Sequence, residues 1–201
     1  MENAILERFK NQTKNLKTLS EELRLQMALG KAEARDLIER ERKNLNSYIN
    51  THKKEFEKSE TVNQTNRVSF LTSVENLESV LSDNVPEETV AYDQYKNNVL
   101  KSVYKLEEEI KTNYPELSLS MQSKLDNFKN KMDAFRVNLA LHDKDDPERV
   151  EKIRHEFTGK LEEIRKILSD RENAQSKIDS FVEDITESFN YLKRAISDLS
   201  D

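Results

Sequence analysis

The sequence predicts an all-α protein, an elongated antiparallel helical bundle or coiled coil, on three observations. Glycine and proline number only 2 and 3 in 201 residues, whereas sheets and barrels need a turn every ~8–12 residues built largely from them. Charged residues make up 36% of the chain and the mean hydropathy is -0.89, yet acidic and basic groups nearly balance, unlike the one-sided charge of a disordered chain. Apolar residues recur at alternating spacings of three and four, which is the repeat of a helix face.

The first arm is predicted over residues 3–58. Ile5, Phe9, Leu16, Leu19, Leu23, Met27, Ala34, Leu37, Ile38, Leu45, Tyr48, Ile49 and Phe56 form one broad stripe. Inside it stand Ala28, Gly30, Ala32 and Ala34. Small residues at that spacing allow either close approach of a second helix or a soft hinge, since glycine within a helix costs about 1 kcal/mol against alanine. Neither Gly30 nor Gly159 marks an evident turn, and the arm is expected as one long helix with that patch either packed closely or acting as the hinge. The polar stretch 59–66 then predicts a turn.

A shorter helix follows over 67–83, striped by Val68, Phe70, Leu71, Val74, Leu77, Val80 and Leu81 and closed by Ser82-Asp83-Asn84-Val85-Pro86. The stripe resumes at Tyr92, Tyr95, Val99, Val103, Leu106 and Ile110 and meets Asn113-Tyr114-Pro115, where the residue before proline is biased away from helix. Met121, Leu125, Phe128, Met132, Phe135 and Leu139 continue it without interruption. Residues 86–142 therefore form an arm that is kinked or broken at Pro115, and Pro86 is open to the same two readings.

The last arm is predicted over 147–199. Asp146 suits the N-cap, Pro147 the first helical position and Glu148 the positive helix end. Val150, Phe157, Leu161, Ile164, Leu168, Ile178, Val182, Ile185, Phe189, Leu192, Ile196 and Leu199 share one seam. As one helix this arm would be a rod of roughly 75–80 Å. Arg154, Arg171 and Gln175 interrupt the seam, the last two either as polar layers that fix register with a partner or as solvent-exposed positions. The resulting expectation is a single elongated domain over 1–201.

Little in the composition supports catalysis. Two glycines cannot build a phosphate-cradling loop, and the absence of cysteine removes disulfides, thiol chemistry and thiolate metal sites. His52, His142 and His155 stand in no metal-binding or triad arrangement. His142 reads as helix-terminal, and His155 as a surface partner of Glu151. The cluster Asp143, Asp145, Asp146, Glu148 invites a calcium reading, but Pro147 and Lys144 oppose it and helix capping fits better. Glu107-Glu108-Glu109 reads as a solvated face. No metal, cofactor or small-molecule substrate is expected.

The charge pattern bears on three kinds of partner. Arg40, Arg42, Lys43, Lys53 and Lys54 give local positive density, but the net charge is -6 and no aromatic platform accompanies them, so nucleic acid is not expected. A membrane surface fits the amphipathic helices and the general shape of BAR-type dimers, while the narrow seams and negative charge argue against it. Self-association or another protein fits the seams best. The seam residues expected to carry such contact are Met121, Leu125, Phe128, Met132, Phe135, Leu139, Leu161, Ile164, Leu168, Arg171, Gln175, Ile178, Val182, Ile185, Phe189 and Leu192.

One stretch, Leu25-Gln26-Met27-Ala28-Leu29-Gly30-Lys31-Ala32-Glu33-Ala34-Arg35-Asp36, resembles a recurring segment of small bacterial coiled-coil proteins with apolipoprotein-like helices. The resemblance implies a soluble bundle linked to stress and assigns no site. The N-terminal residues lack the apolar core of a signal peptide, which with the missing cysteines leads to an expected cytoplasmic location. The function expected is that of a non-enzymatic structural or protein-interaction bundle, with lipid-surface binding as the alternative.

Overall fold

A computed structural model describes the backbone of residues 2–58, 64–170 and 178–200, and the side chains of 10–54, 65–114, 120–169 and 181–200. Among these residues there are seven α-helices and no strand: α1 (Glu2–Ala28), α2 (Lys31–Lys58), α3 (Gln64–Ser82), α4 (Thr89–Asn113), α5 (Pro115–Leu141), α6 (Pro147–Asp170) and α7 (Ile178–Ser197), closed by a 3-10 turn over Asp198–Ser200. The all-α bundle expected from the apolar spacing is the fold observed. No helix among the described residues is long and apolar enough to cross a membrane. The chain divides into two compact units, one made of Met1–Ala34 and Asp133–Asp201, the other of Arg35–Met132.

In the Arg35–Met132 unit, α3 and α4 fold back on each other. Ser69, early in α3, donates to Glu109 near the end of α4 at 2.5 Å, and the Phe70 and Tyr114 rings meet edge-on at 5.0 Å. The predicted α4 stripe is buried in full: Tyr92, Tyr95, Val99, Val103, Leu106 and Ile110. Both prolines left open by the sequence are turns. Pro86 lies in the connection between α3 and α4, and Pro115 opens α5 immediately after Tyr114 ends α4. The two helices then run antiparallel, with Glu107 of α4 accepting from Gln122 at 2.8 Å and Lys129 at 2.7 Å of α5, and Tyr92 donating to the Met132 carbonyl at 2.7 Å. Proline suits a first helical position because its missing N–H would be unbonded there anyway.

In the other unit, Leu16, Leu19 and Leu23 of α1, Ala134, Val137 and Leu141 of α5, Ile153, Phe157, Leu161 and Ile164 of α6, and Ile185, Leu192 and Ile196 of α7 share one core. Asp146 caps α6 as its sequence position requires: its carboxylate accepts from the Arg149 N–H at 3.0 Å. The arm expected to be continuous over 147–199 is two helices. Tyr191 of α7 donates to Glu156 of α6 at 2.6 Å, and Lys160 Nζ sits 4.9 Å from the Tyr191 ring centroid, so α7 returns along α6. Between Leu168 and Ile178 the seam offers only Arg171 and Gln175, so a continuous rod would have no apolar surface to bury there. Residues 171–177 themselves lie outside the described residues.

The arm expected over 3–58 also breaks. α1 ends at Ala28 and α2 starts at Lys31. Gly30 is the N-cap of α2, its carbonyl accepting from Ala34 N–H at 3.0 Å while Glu33 accepts from the Gly30 N–H at 3.3 Å. The Glu33 bond is half of a capping box, and the break falls at the small-residue patch where the sequence left a soft hinge open.

Three of the described helix ends are closed without a left-handed residue, by side chains from distant parts of the chain. Most often the last carbonyls are met by a left-handed residue, usually glycine. Among the described residues none has positive φ, glycine included. The Tyr114 N–H closes α4 on the Ile110 carbonyl, and side chains from elsewhere serve at three other ends. Asn138 reaches the end of α1, Arg42 donates to the Leu81 carbonyl at the end of α3, and Arg136 donates to the Leu199 carbonyl in the terminal 3-10 turn.

Candidate interaction site

The C-terminal half of α5 is buried on every side, from Met132 to Leu141. A helix buried all round has no solvated face on which to place polar residues, yet this one carries Asp133, Arg136 and Asn138. Each is engaged. Asp133 receives Lys193 of α7. Arg136, only 1% exposed, holds the Leu199 carbonyl, which Arg149 also approaches at 3.3 Å. Asn138 donates to the Gln26 carbonyl at 2.6 Å and the Leu29 carbonyl at 3.0 Å. Arg136 and Asn138 thus fix helix ends, and Asp133 ties α5 to α7.

The same holds for the basic cluster seen in the sequence. Arg42 is buried and binds Glu39 through Nη2 at 2.8 Å and Nε at 2.9 Å, and Glu39 in turn accepts from the Val85 N–H at 2.6 Å. Burial alone would raise the Glu39 pKa, but the Val85 N–H and Arg42 outweigh it and hold the carboxyl below its ordinary value. Lys53 lies 3.2 Å from Glu78 and 3.4 Å from Glu75. Burial opposes its charge, and the two carboxylates override this and raise its pKa. Of the five basic residues, Arg42 and Lys53 are thus committed to the fold.

Histidines take local roles. His142 Nδ1 lies 2.8 Å from the Asn138 carbonyl, a helix-terminal bond, and the His52 ring packs edge-on against Tyr48 at 4.5 Å. Glu151 stands beside Arg154 at 3.9 Å. In the acidic turn, Asp143 accepts from the Asp145 N–H at 3.0 Å and Asp146 caps α6.

The predicted seam residues lie inside the fold. Met121, Leu125, Phe128, Met132, Phe135, Leu139, Leu161, Ile164, Ile185 and Leu192 are buried, while Leu168, Val182 and Phe189 are half-buried. Leu168 and Phe189 pack against the shared core. Arg171, Gln175 and the Ile178 side chain lie outside the described residues. The apolar surface that the sequence offered to a partner is largely occupied by this chain's own helices.

Among the described residues a cleft of about 440 Å³ lies open between α1 and α6. Arg24, Met27 and Ala28 line it from one turn of α1; Arg154, Thr158, Leu161, Glu162 and Arg165 line it from one face of α6. Both sets follow helical spacing, so each helix presents its group together. Arg24 lies across the cleft, Nη2 donating to the Leu161 carbonyl at 2.8 Å. Among the described residues Arg165 has no ion pair, and Arg154 has only the distant Glu151. Three guanidinium groups with one lining carboxylate leave net positive charge over an apolar floor of Met27, Ala28 and Leu161. Sequence reading missed this cleft because its arginines are scattered: Arg24 is separated from Arg154 by most of the chain, and Arg154 was seen only as a break in a seam.

No protein-family model, curated protein or solved structure matches the chain. Residues 25–36, which carry the resemblance to apolipoprotein-like bundles, span the end of α1, the Gly30 cap and the start of α2.

Proposed function

We propose that this chain is a non-enzymatic helical bundle that works through contact with another protein. One observation carries the reading: the apolar seams are filled from within, while a cationic cleft with an apolar floor stays open on the surface. Deeply placed carboxylates support it too, since Asp133, Glu107 and Glu39 are each neutralised by a cation and serve the fold. An interaction protein needs a rigid frame and an exposed recognition surface, and rigid elements hold such surfaces better than loops do.

Lipid-surface binding is the second reading, favoured by Leu25, which is 43% exposed and adjoins Arg24. Interfacial helices need a broad apolar face as well as cations. Co-sedimentation with phosphatidylserine vesicles at low salt separates the two. The interaction reading expects the protein to stay in the supernatant, with its mass by light scattering reporting any self-association. Capture on vesicles that persists at physiological salt overturns it.

A further inference from the structure

We infer that the cleft between α1 and α6 receives an acidic amphipathic helix from a partner protein. The inference rests on the interaction reading above and names its site and ligand class. Arg24, Arg154 and Arg165 would hold carboxylates, and Met27 with Leu161 would receive a leucine-sized side chain.

Charge and length both point to this occupant. Arginine presents a planar fork that matches a carboxylate with two parallel hydrogen bonds, and it remains charged at any physiological pH. Arg154 and Arg165 are eleven residues apart on α6, which sets their Cα atoms about 16 Å apart along the helix axis. A single small anion cannot meet both. A helix lying along α6 with acidic residues at i, i+4, i+7 and i+11 repeats that spacing on one stripe, and apolar residues at i+3 and i+8 flank it. The apolar floor provides the fixed contact that charge alone lacks, since exposed ion pairs by themselves contribute little.

Other anionic partners fit less well. The cleft has no aromatic side chain on which a base could stack. A lipid surface presents a plane of negative charge, and α6 would bring Glu151 and Glu163, 77% and 57% exposed, toward it beside the arginines. A peptide places its charges one by one and avoids those carboxylates.

The test uses fluorescence anisotropy with the full chain and a labelled synthetic helix carrying glutamates at i, i+4, i+7 and i+11 and leucines at i+3 and i+8. Its control has lysine in place of every glutamate. The glutamate helix is expected to bind and the lysine helix not to, with affinity falling as salt is raised. The double variant R154E/R165E alters exposed side chains and should weaken binding by at least about tenfold. K101E/K105E, on the exposed face of α4, should leave it unchanged, and circular dichroism checks that both variants fold. Equal binding of the two helices, no binding of either, or full binding by R154E/R165E overturns the inference. If phosphatidylserine vesicles bind through these arginines and displace the helix, both the occupant and the interaction reading fail. If vesicles and peptide both fail to bind, only the cleft assignment fails. A concentration-dependent doubling of mass that R154E/R165E abolishes would make the occupant a second copy, and would overturn a separate partner.

Discussion

The Asn138 side-chain amide donates at 2.6 Å to the carbonyl of Gln26, 112 residues earlier in the chain. Gln26 is in the last turn of α1, where backbone carbonyls have no partner within the helix. The same amide donates to Leu29 at 3.0 Å, so one buried nitrogen closes a helix end that has no left-handed residue to close it. Asn138 is 0% exposed, which makes both bonds difficult to replace with water.

Replacing Asn138 by leucine keeps the branched shape and the number of heavy atoms and leaves two carbonyls without a donor. The expected cost is about 2 kcal/mol, a fall in Tm of about 4–8 °C for a chain of this length. Asn138→Asp should be worse, because a carboxylate would face two carbonyl oxygens in a buried site. Thermal melts followed by circular dichroism rank the three proteins; an aspartate variant as stable as wild type would contradict this account of the cap.

Tyr92 and Tyr95 form a matched pair, their ring centroids 6.3 Å apart on α4. The Tyr92 hydroxyl donates to the Met132 carbonyl at 2.7 Å, whereas the buried Tyr95 hydroxyl has no hydrogen-bond partner among the described residues. Burial pushes the Tyr95 pKa well above that of an ordinary tyrosine. Tyr92→Phe should therefore cost about 1 kcal/mol, and Tyr95→Phe should be neutral or stabilising by a few tenths of a kcal/mol. Urea unfolding of both variants tests the ordering, which a simple count of hydroxyl groups would not produce.

The periodic features of the sequence translated directly into structure where one helix face was enough to decide them. The α4 stripe and the Asp146 cap are examples, since each depends on residues within a few turns of one another. The arms over 3–58 and 147–199 did not follow as continuous helices, because a stripe reports which face is apolar and says nothing of whether the covering surface comes from another chain or from the same one folded back. Leu168 to Ile178 shows the difference: a gap in the seam looked like a polar layer, and the helices on either side of it pack together. The cleft was the least legible feature. Arg24 and Leu161 become neighbours only through tertiary packing, so no local spacing brings them together.

Gly30 offers a gain in stability. It precedes α2 as the N-cap, its φ is not positive, and a Cβ there would meet only Glu33 Oε2 at 3.8 Å. Serine would add an oxygen for the first-turn N–H groups and complete the capping box with Glu33. Gly30→Ser is expected to raise stability by about 0.5–1 kcal/mol, part of it from a less flexible unfolded chain. A drop in Tm instead would mean that the 29–30 break needs glycine for a reason other than space or φ.

Acid sensitivity should be concentrated at Glu39. Its pKa in the folded chain is lower than the unfolded value of about 4.3, because the Val85 N–H and Arg42 together outweigh the opposing effect of burial. Where the folded pKa is the lower one, the unfolded state binds more protons in the acid range, and stability rises with pH there. The contribution is therefore complete above about pH 4.3 and is lost as the pH falls through the lower folded value. Glu39→Gln should be less stable than wild type at neutral pH, with the gap constant down to about pH 5 and closing below the ordinary carboxylate range. Arg42→Met should cost about 3 kcal/mol, since it strands a half-buried carboxylate and leaves the Leu81 carbonyl without its donor. Combining it with Glu39→Gln removes that stranded charge, so the double variant should lose less than the two single losses added together. Urea unfolding across pH 3–7 reads all four proteins; a wild-type-to-Gln gap that stays constant across that range would place the acid response on another carboxylate.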